Sequence, residues 1–426
     1  MNRFSFLSPD RIRRALRWRF NVIERMSPEL LTQQLDAFEA GHLREAVNTW
    51  EQIEMRDDLL KAVITKRKKA IARHGWVILP YPGLNENDRA ESERHAAALE
   101  FFYTHLECSH AVDGNERGGI QLLLRQMMDA IGKRYAVHEI VWKLGPSRSD
   151  TLLPRQLTAE FRFVPLTFFE KTTGQLRFLE SENAFEGLPL EPGSWMVTTG
   201  EGLMMASSVA WMFKHLSVND WSLYSQRNGI PGVRGISSAV RDSAEWNALG
   251  AAVEELIGGG SVVTSVEEDV KVLDFAVGGN IPFPALVERM DRMMAALWRG
   301  ADLSTISRDR GYGASLQEKE SCILEEDDAA LLNETLHRQV DHWVIRYLFG
   351  DHVKPLARIR VLVSPRECTA DDLKIDEFLI RHGVPLPLLA TAERYGRRVA
   401  VEGEITLKTE TAKPENLPSA QIPTQP

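Results

Sequence analysis

A chain of 426 residues with 43% hydrophobic and 26% charged residues, ten tryptophans and a formal charge of -9 has the composition of a packed protein, long enough for roughly two or three domains. That balance excludes a wholly disordered chain, and the acidic excess argues against a protein whose main task is to grip nucleic acid tightly, because neutralising phosphates takes a surplus of Lys and Arg on the contact face, while leaving weak or transient DNA contact open. Cys108, Cys322 and Cys368 are too few for a disulfide framework. Neither a run of about 18 uncharged apolar residues nor a signal-peptide core appears, so a soluble, unexported protein without a membrane partner is expected.

The first predicted element is a basic amphipathic arm at 3–20, where Ile12, Ala15, Leu16 and Phe20 recur at helical spacing among Arg13, Arg14, Arg17 and Arg19. It reads as a surface helix, with phosphate or membrane contact as alternatives. Ser27-Pro28-Glu29 has the form of a helix N-cap followed by proline at the first helical position, and two helices are predicted after it. The second, at 55–73, carries Leu60, Val63, Ile64 and Ile71 on one stripe, with Lys61, Lys66, Lys68 and Lys69 largely off it. A strand at 76–79 precedes a turn at 80–83.

Helices follow at 87–106 and 120–131, then a strand at 135–144. Short β-branched or aromatic runs at 160–164, 168–171, 175–179 and 195–199, separated by turn signals such as Thr173-Gly174 and Pro192-Gly193, complete an α+β domain with a mostly antiparallel sheet. The second half begins with a helix at 206–227, a Gly/Pro-rich turn at 229–235 and a helix at 243–257. Strands are expected at 261–264 and 270–275, and a helix at 284–298. A polar, glycine-containing loop at 299–315 leads into the longest helical pattern, 317–348, whose stripe of Leu332, Leu336, Val340, Trp343 and Tyr347 advances by three or four residues. A strand at 357–363 and a helical region at 370–395 close the ordered part. From Lys408 the composition is that of a disordered tail.

Chemical motifs are sparse. Gly258-Gly259-Gly260-Ser261 lacks the lysine of a phosphate loop and precedes a strand, and Gly311-Tyr312-Gly313 lacks the third glycine of a dinucleotide fingerprint. His105, Cys108 and His110 are near enough for zinc but lack a fourth ligand, so a helix end with exposed histidines is expected. No Gly-x-Ser-x-Gly elbow occurs. Glu325-Glu326-Asp327-Asp328 is compatible with divalent-metal chemistry, yet four consecutive helical residues point in four directions, which favours a solvated face near a helix start. No catalytic, metal or cofactor site is expected.

One stretch is specific. Trp211-Met212-Phe213-Lys214-His215, then Trp221-Ser222-Leu223-Tyr224, then Gly229-Ile230-Pro231-Gly232-Val233-Arg234-Gly235 resembles the signature of Mu-like phage portal proteins. In that family an aromatic, lysine-bearing helix leads to a Trp and a Gly/Pro turn, followed by a helix and a Thr-Ser-containing strand, here Val262-Val263-Thr264-Ser265. The likeness extends from Arg56-Asp57-Asp58 and Gly75-Trp76 through Asp274-Phe275 to the long helix.

The resemblance implies an α+β protein with the phage portal fold: an α/β wing domain, a helical stem, a small α/β clip and a helical crown. On this sequence the parts would be the arm at 1–26, wing at 27–205, first stem helix at 206–228, clip at 229–280, second stem helix at 281–298, channel loop at 299–316, long helix and return to the wing at 317–369, crown-like region at 370–407 and tail at 408–426. It further implies a homo-oligomeric ring, usually of about twelve subunits, at the portal vertex of the virion head, assembled in the host bacterial cytoplasm. Implied partners are the large terminase subunit, head-tail adaptor proteins, capsid and scaffold proteins, and double-stranded DNA bound without sequence specificity. Trp211, Phe213, Lys214, Trp221, Gly229, Pro231 and Gly235 would form the stem and clip signature, and Arg299, Arg308 and Arg310 are placed to touch phosphates from the loop. The competing readings are a DNA-processing enzyme, either a metal-dependent nuclease or a packaging-motor component, and a smaller adaptor or scaffold of the head.

Overall fold

A computed structural model describes residues 26–81, 85–145, 156–181, 184–229, 232–240, 243–257, 269–273, 282–300, 313–363, 370–384, 386 and 391. The basic arm, the strand expected at 261–264, most of the loop at 299–315 and the tail lie outside the described residues. The chain divides into two units, one ending at Val363 and one beginning at Ser364.

The first unit opens with three helices, α1 (Pro28–Glu39), α2 (Arg44–Arg56) and α3 (Asp58–Arg73), where two were expected. Ser27 caps α1 as the sequence suggests, its hydroxyl accepting the Leu30 N–H at 3.2 Å. The break inside the expected second helix is Asp57, which takes an extended backbone, ends α2 and accepts the Leu60 N–H at 2.9 Å to start α3. Leu60, Val63, Ile64 and Ile71 are buried as predicted, and so is Arg67 on the same helix.

Strand β1 (Trp76–Pro80) and helix α4 (Glu86–His105) follow. Next come β2 (Glu107–His110), β3 (Arg117–Gly118), α5 (Ile120–Met127) and α6 (Asp129–Lys133), the expected single helix at 120–131 being divided at Met128. Strands β4 (Tyr135–Leu144) and β5 (Leu157–Val164) are long; β6 (Phe169–Glu170), β7 (Arg177–Phe178) and β8 (Leu188–Pro189) are two-residue pieces, and β9 (Trp195–Thr199) has the expected bounds. A five-stranded sheet runs β3-β2-β5-β4-β9, antiparallel except for the parallel pairing of β2 with β5. Its core strand β5 buries alternate residues Leu157, Ala159, Phe161 and Phe163, as period-2 geometry dictates.

Of the helix end with exposed histidines expected here, only His105 closes a helix, α4, where it is exposed. Cys108 lies on β2, not at an exposed helix end, and its thiol donates to the Gln126 carbonyl oxygen at 3.0 Å while burial pushes its pKa up, away from the thiolate a metal requires. His110 accepts backbone N–H groups from Val112 and Asp113, and no metal-binding cluster occurs among the described residues.

Gln126 also faces His138 Nε2 at 3.2 Å, on β4. Burial holds this imidazole neutral, its pKa down at about 3, with the neighbouring His110 adding to the shift. The folded state therefore fails to take up a proton that the unfolded chain binds below about pH 6.5, so stability rises with pH across the window from about 3 to 6.5. Acidification across that window should cost on the order of 4 kcal/mol through this residue. Urea unfolding of wild type and His138→Gln between about pH 4 and 7 should show a shallower pH slope in the variant; equal slopes would assign the acid sensitivity elsewhere.

The long C-terminal helical pattern is interrupted. Helix α10 (Gly313–Leu336) begins inside the expected loop, five residues from His337 to Asp341 form a π-helical turn, and α11 (His342–Phe349) continues. The extra residue shifts the register: Leu332, Leu336 and Val340 are buried as predicted, but the stripe then passes to Val344 and Ile345, leaving Tyr347 49% exposed. Trp343, Tyr347 and Trp142 pack together outside this core, and the Trp343 ring lies so close to Gly193, at φ +78°, that a Cβ there would stand 2.9 Å from it.

The same turn aims polar side chains at two strand edges. Gln339 brackets Val197 of β9, accepting its N–H and donating to its carbonyl, both at 2.8 Å. Fully buried Asp341 accepts from Tyr103 Oη at 2.7 Å and from the Ile359 N–H at 3.1 Å, on β12 (Ala357–Val361). That strand pairs antiparallel with β1, joining residues far apart in sequence. The second unit contains α12 (Ala370–Arg381), on which Leu373, Ile375, Phe378 and Ile380 are exposed and Asp376 is buried. Among the described residues no helix is long and apolar enough to cross a membrane.

Candidate functional site

Two long helices dominate the middle of the chain, α7 (Met204–Gly229) and α9 (Phe283–Arg299). Ser207 meets Trp298, Lys214 meets Asp291 and Tyr224 meets Phe283, so partners descend one helix as they ascend the other and the pair is antiparallel. Between them the chain makes a small excursion: β10 (Gly232–Ile236), α8 (Ala244–Ile257) and β11 (Asp269–Leu273), with the two strands paired antiparallel. The Gly/Pro turn expected at 229–235 is thus mostly strand. Gly229 is the last residue of α7, Gly235 sits on β10 beneath Leu249 and Val253 of α8, and Pro231 lies outside the described residues.

The foot of this hairpin is locked into the first unit's core. Trp298 is 1% exposed and donates its indole N–H to Ser207 at 2.9 Å, closing α9 onto α7. It fits only because Gly132 of α6 has no side chain: a Cβ there would stand 2.9 Å from the indole ring. Trp50 of α2 donates to Ser208 at 3.3 Å on the neighbouring position.

Lys214 is the second lock. Its ammonium lies 2.7 Å from Asp291 on α9 and 2.8 Å from Asp57, the residue that caps α3, so one cation ties three helices. Burial alone would lower its pKa, but the carboxylates of Asp291 and Asp57 outweigh that and hold it above its ordinary value. Asp291 shifts upward instead, because burial and the crowding of Asp57 and Asp58 exceed the pull of Lys214.

Outside the locks, the hairpin presents apolar side chains to solvent. Val209, Phe213 and Leu216 on α7 are exposed at i, i+4, i+7 spacing, with Phe213 at 53%, and Leu286, Met293 and Leu297 are exposed at i, i+7, i+11 spacing on α9. Of the signature aromatics, Trp211 is buried and stacked on His215, whereas Trp221 is 38% exposed. A face of this kind on a packed protein marks an interaction surface.

Beside the foot, α3, the end of α9 and α10 enclose a cleft of about 720 Å³ whose walls include Lys61, Lys66, Lys69, Arg73 and Arg299. Arg299 is the half-buried last residue of α9; Arg308 and Arg310 lie outside the described residues. At the cleft floor Arg67 makes a two-pronged bond to Asp328, 2.7 and 2.9 Å, and donates to the Trp298 carbonyl at 3.1 Å. This corrects the reading of the acidic run: Asp328 is buried, not solvated, and the run lies in mid-helix because α10 starts at Gly313. Its buried carboxylate is committed to a guanidinium, and nothing in this arrangement favours the nuclease alternative.

Sequence reasoning singles out Lys214 and Arg299 but gives no role to Asp57 and Asp291, which hold Lys214, or to Arg67 and Trp298, which tie α3, α9 and α7 together beside Arg299. Asp57 carries a visible signal, an Asp immediately before a helical run, whereas the long-range pairings carry none.

The family model described as the portal protein of Mu bacteriophage matches residues 47–397. Among curated proteins the chain is similar to the portal protein of Escherichia phage Mu, 25% identical over 299 residues, which is 67% of this chain and 54% of that protein. The chain therefore spans about half the length of this relative. Among solved structures it overlaps a chain in the virion of a native gene transfer agent particle, with 11% identity, 86% of this chain, 94% of that chain and a TM-score of 0.49. It overlaps an HK97-family phage portal protein from Corynebacterium diphtheriae with 10% identity, 75% of this chain, 95% of that chain and a TM-score of 0.42.

Proposed function

The chain belongs to the Mu bacteriophage portal-protein family, as its match over residues 47–397 establishes, and we propose that it is the structural subunit of a ring that conducts double-stranded DNA into and out of a phage head. The observation that carries this reading is the hairpin of α7 and α9, locked at its foot by Trp298 and Lys214 and exposing an apolar face along its length. A ring closes through two different patches on each subunit, and such a face must be covered by something.

In this reading 206–228 and 281–298 are the stem helices, 229–280 is the clip, 299–316 is the channel loop, 27–205 and 317–369 form the wing, and 370–407 is crown-like. The loop brings Arg299, Arg308 and Arg310 to phosphates without reading bases. The ring, of about twelve subunits, sits at the portal vertex and is assembled in the host cytoplasm. The large terminase subunit, head-tail adaptors, capsid and scaffold proteins are its partners, and the role is architectural, not enzymatic.

Native mass spectrometry and negative-stain images of the purified chain should show rings with a channel wide enough for a duplex, roughly 20 Å. The double variant Phe213→Glu, Leu297→Glu should give monomers that keep the wild-type secondary structure by circular dichroism, since both side chains are exposed in the single chain. Monomeric wild type would overturn the ring reading; rings that survive in the variant would remove this face from the subunit contact.

A further inference from the structure

The cleft beside the hairpin foot inverts the charge of the molecule. Among the described residues six cations, Lys61, Lys66, Arg67, Lys69, Arg73 and Arg299, line it against two carboxylates, Glu325 and Asp328, on a chain of net charge -9. Arg67 and Asp328 consume each other, which leaves Glu325 as the other carboxylate among the described lining residues. Lys61 and Lys69 are exposed and pair with no carboxylate among the described residues. The Lys66 ammonium is held below its ordinary pKa, first by loss of water and then by the Arg299 guanidinium, against the pull of Glu325. Cations crowded against few counter-charges raise the local affinity for an anion.

The geometry suits an extended polyanion better than a single ion. Lys61 and Lys69 stand eight positions apart on one helix, about 12 Å along its axis, a distance over which one strand of a duplex presents three or four phosphates. The ammonium groups sit on long flexible stems, which follow a repeating charge without demanding fixed geometry. We propose that this cleft is a phosphodiester-binding site, distinct from the loop arginines, in which Lys61 and Lys69 with Lys66 and Arg299 contact the backbone of nucleic acid. That the anion is DNA, not another polyphosphate, rests on the conduit reading above; the cleft itself does not.

The test uses the full chain, a fluorescent duplex of about 30 base pairs and anisotropy titrations at several salt concentrations. Lys61→Glu with Lys69→Glu should weaken binding at least tenfold and flatten the salt dependence by about 0.9 for each phosphate that the variant no longer neutralises, with an unchanged thermal midpoint. Inorganic tripolyphosphate should compete in the wild type and not in the variant. An affinity unaltered by the double change, or abolished only in Arg308→Ala with Arg310→Ala, would overturn the cleft and leave the loop. Polyglutamate competing as well as duplex would overturn it in favour of an acidic peptide. Rings that bind no duplex at low salt would overturn the cleft while leaving the ring reading standing.

Discussion

Replacing Arg67 with alanine is expected to destabilise the first unit by about 3–5 kcal/mol, because it leaves a buried carboxylate without its partner. The Arg67 and Asp328 side chains are only 7% and 4% exposed, so little solvent screening softens the effect. The Trp298 carbonyl loses its donor as well. Urea unfolding followed by tryptophan fluorescence measures the change. Arg67→Lys keeps the charge but not the fork and should fall between wild type and alanine. The combined Arg67→Met, Asp328→Leu variant should recover most of the stability, since removing both charges removes the desolvation penalty with the attraction. A cost below about 1 kcal/mol for Arg67→Ala would mean that the pair behaves as a surface salt bridge and that the cleft floor is wet.

Trp298→Ala should cost a similar amount, about 3–5 kcal/mol, as a large buried side chain leaves a cavity between α6, α7 and α9. Trp298→Phe separates volume from hydrogen bonding: it fills most of the space but strands the fully buried Ser207 hydroxyl, for a cost of about 1–3 kcal/mol. Ser207→Ala should match it, because it strands the indole N–H instead. The Arg67 and Trp298 substitutions are not expected to add, since the arginine donates to the tryptophan's own carbonyl. If Trp298→Ala lowered stability by less than Ser207→Ala, the indole would not be the wedge that joins the hairpin to the core.

How much of the fold is legible in the sequence depends on range. Local signals suffice for the Ser27 cap, the buried stripe on α3, the bounds of β4 and β9, and the long helices α7 and α9, all of which follow from periodicity and turn chemistry. The expectations that fail concern residues whose partners are distant. Asp328 looks solvated because nothing near it in sequence announces Arg67, 261 positions away. Cys108 looks like part of a helix end because a four-residue strand is too short to show alternation. Of the candidate site, Lys214 is visible as part of a family-like motif, but its role as a tie between three helices is a property of the fold.

The π turn from His337 to Asp341 shows what a single inserted residue can accomplish. One residue corresponds to about 100° of rotation in an α-helix. Winding the same residues into an uninterrupted α-helix would swivel everything downstream, turning Trp343 and Tyr347 toward the interior and Val344 and Ile345 toward water. Gln339 and Asp341 would leave the strand edges of β9 and β12 together, because both are aimed by the same loop of backbone. The turn thus acts as a phase adjuster between two halves of one rod: the upstream half can be threaded to suit the hairpin foot and the downstream half to suit the sheets, with neither compromising the other.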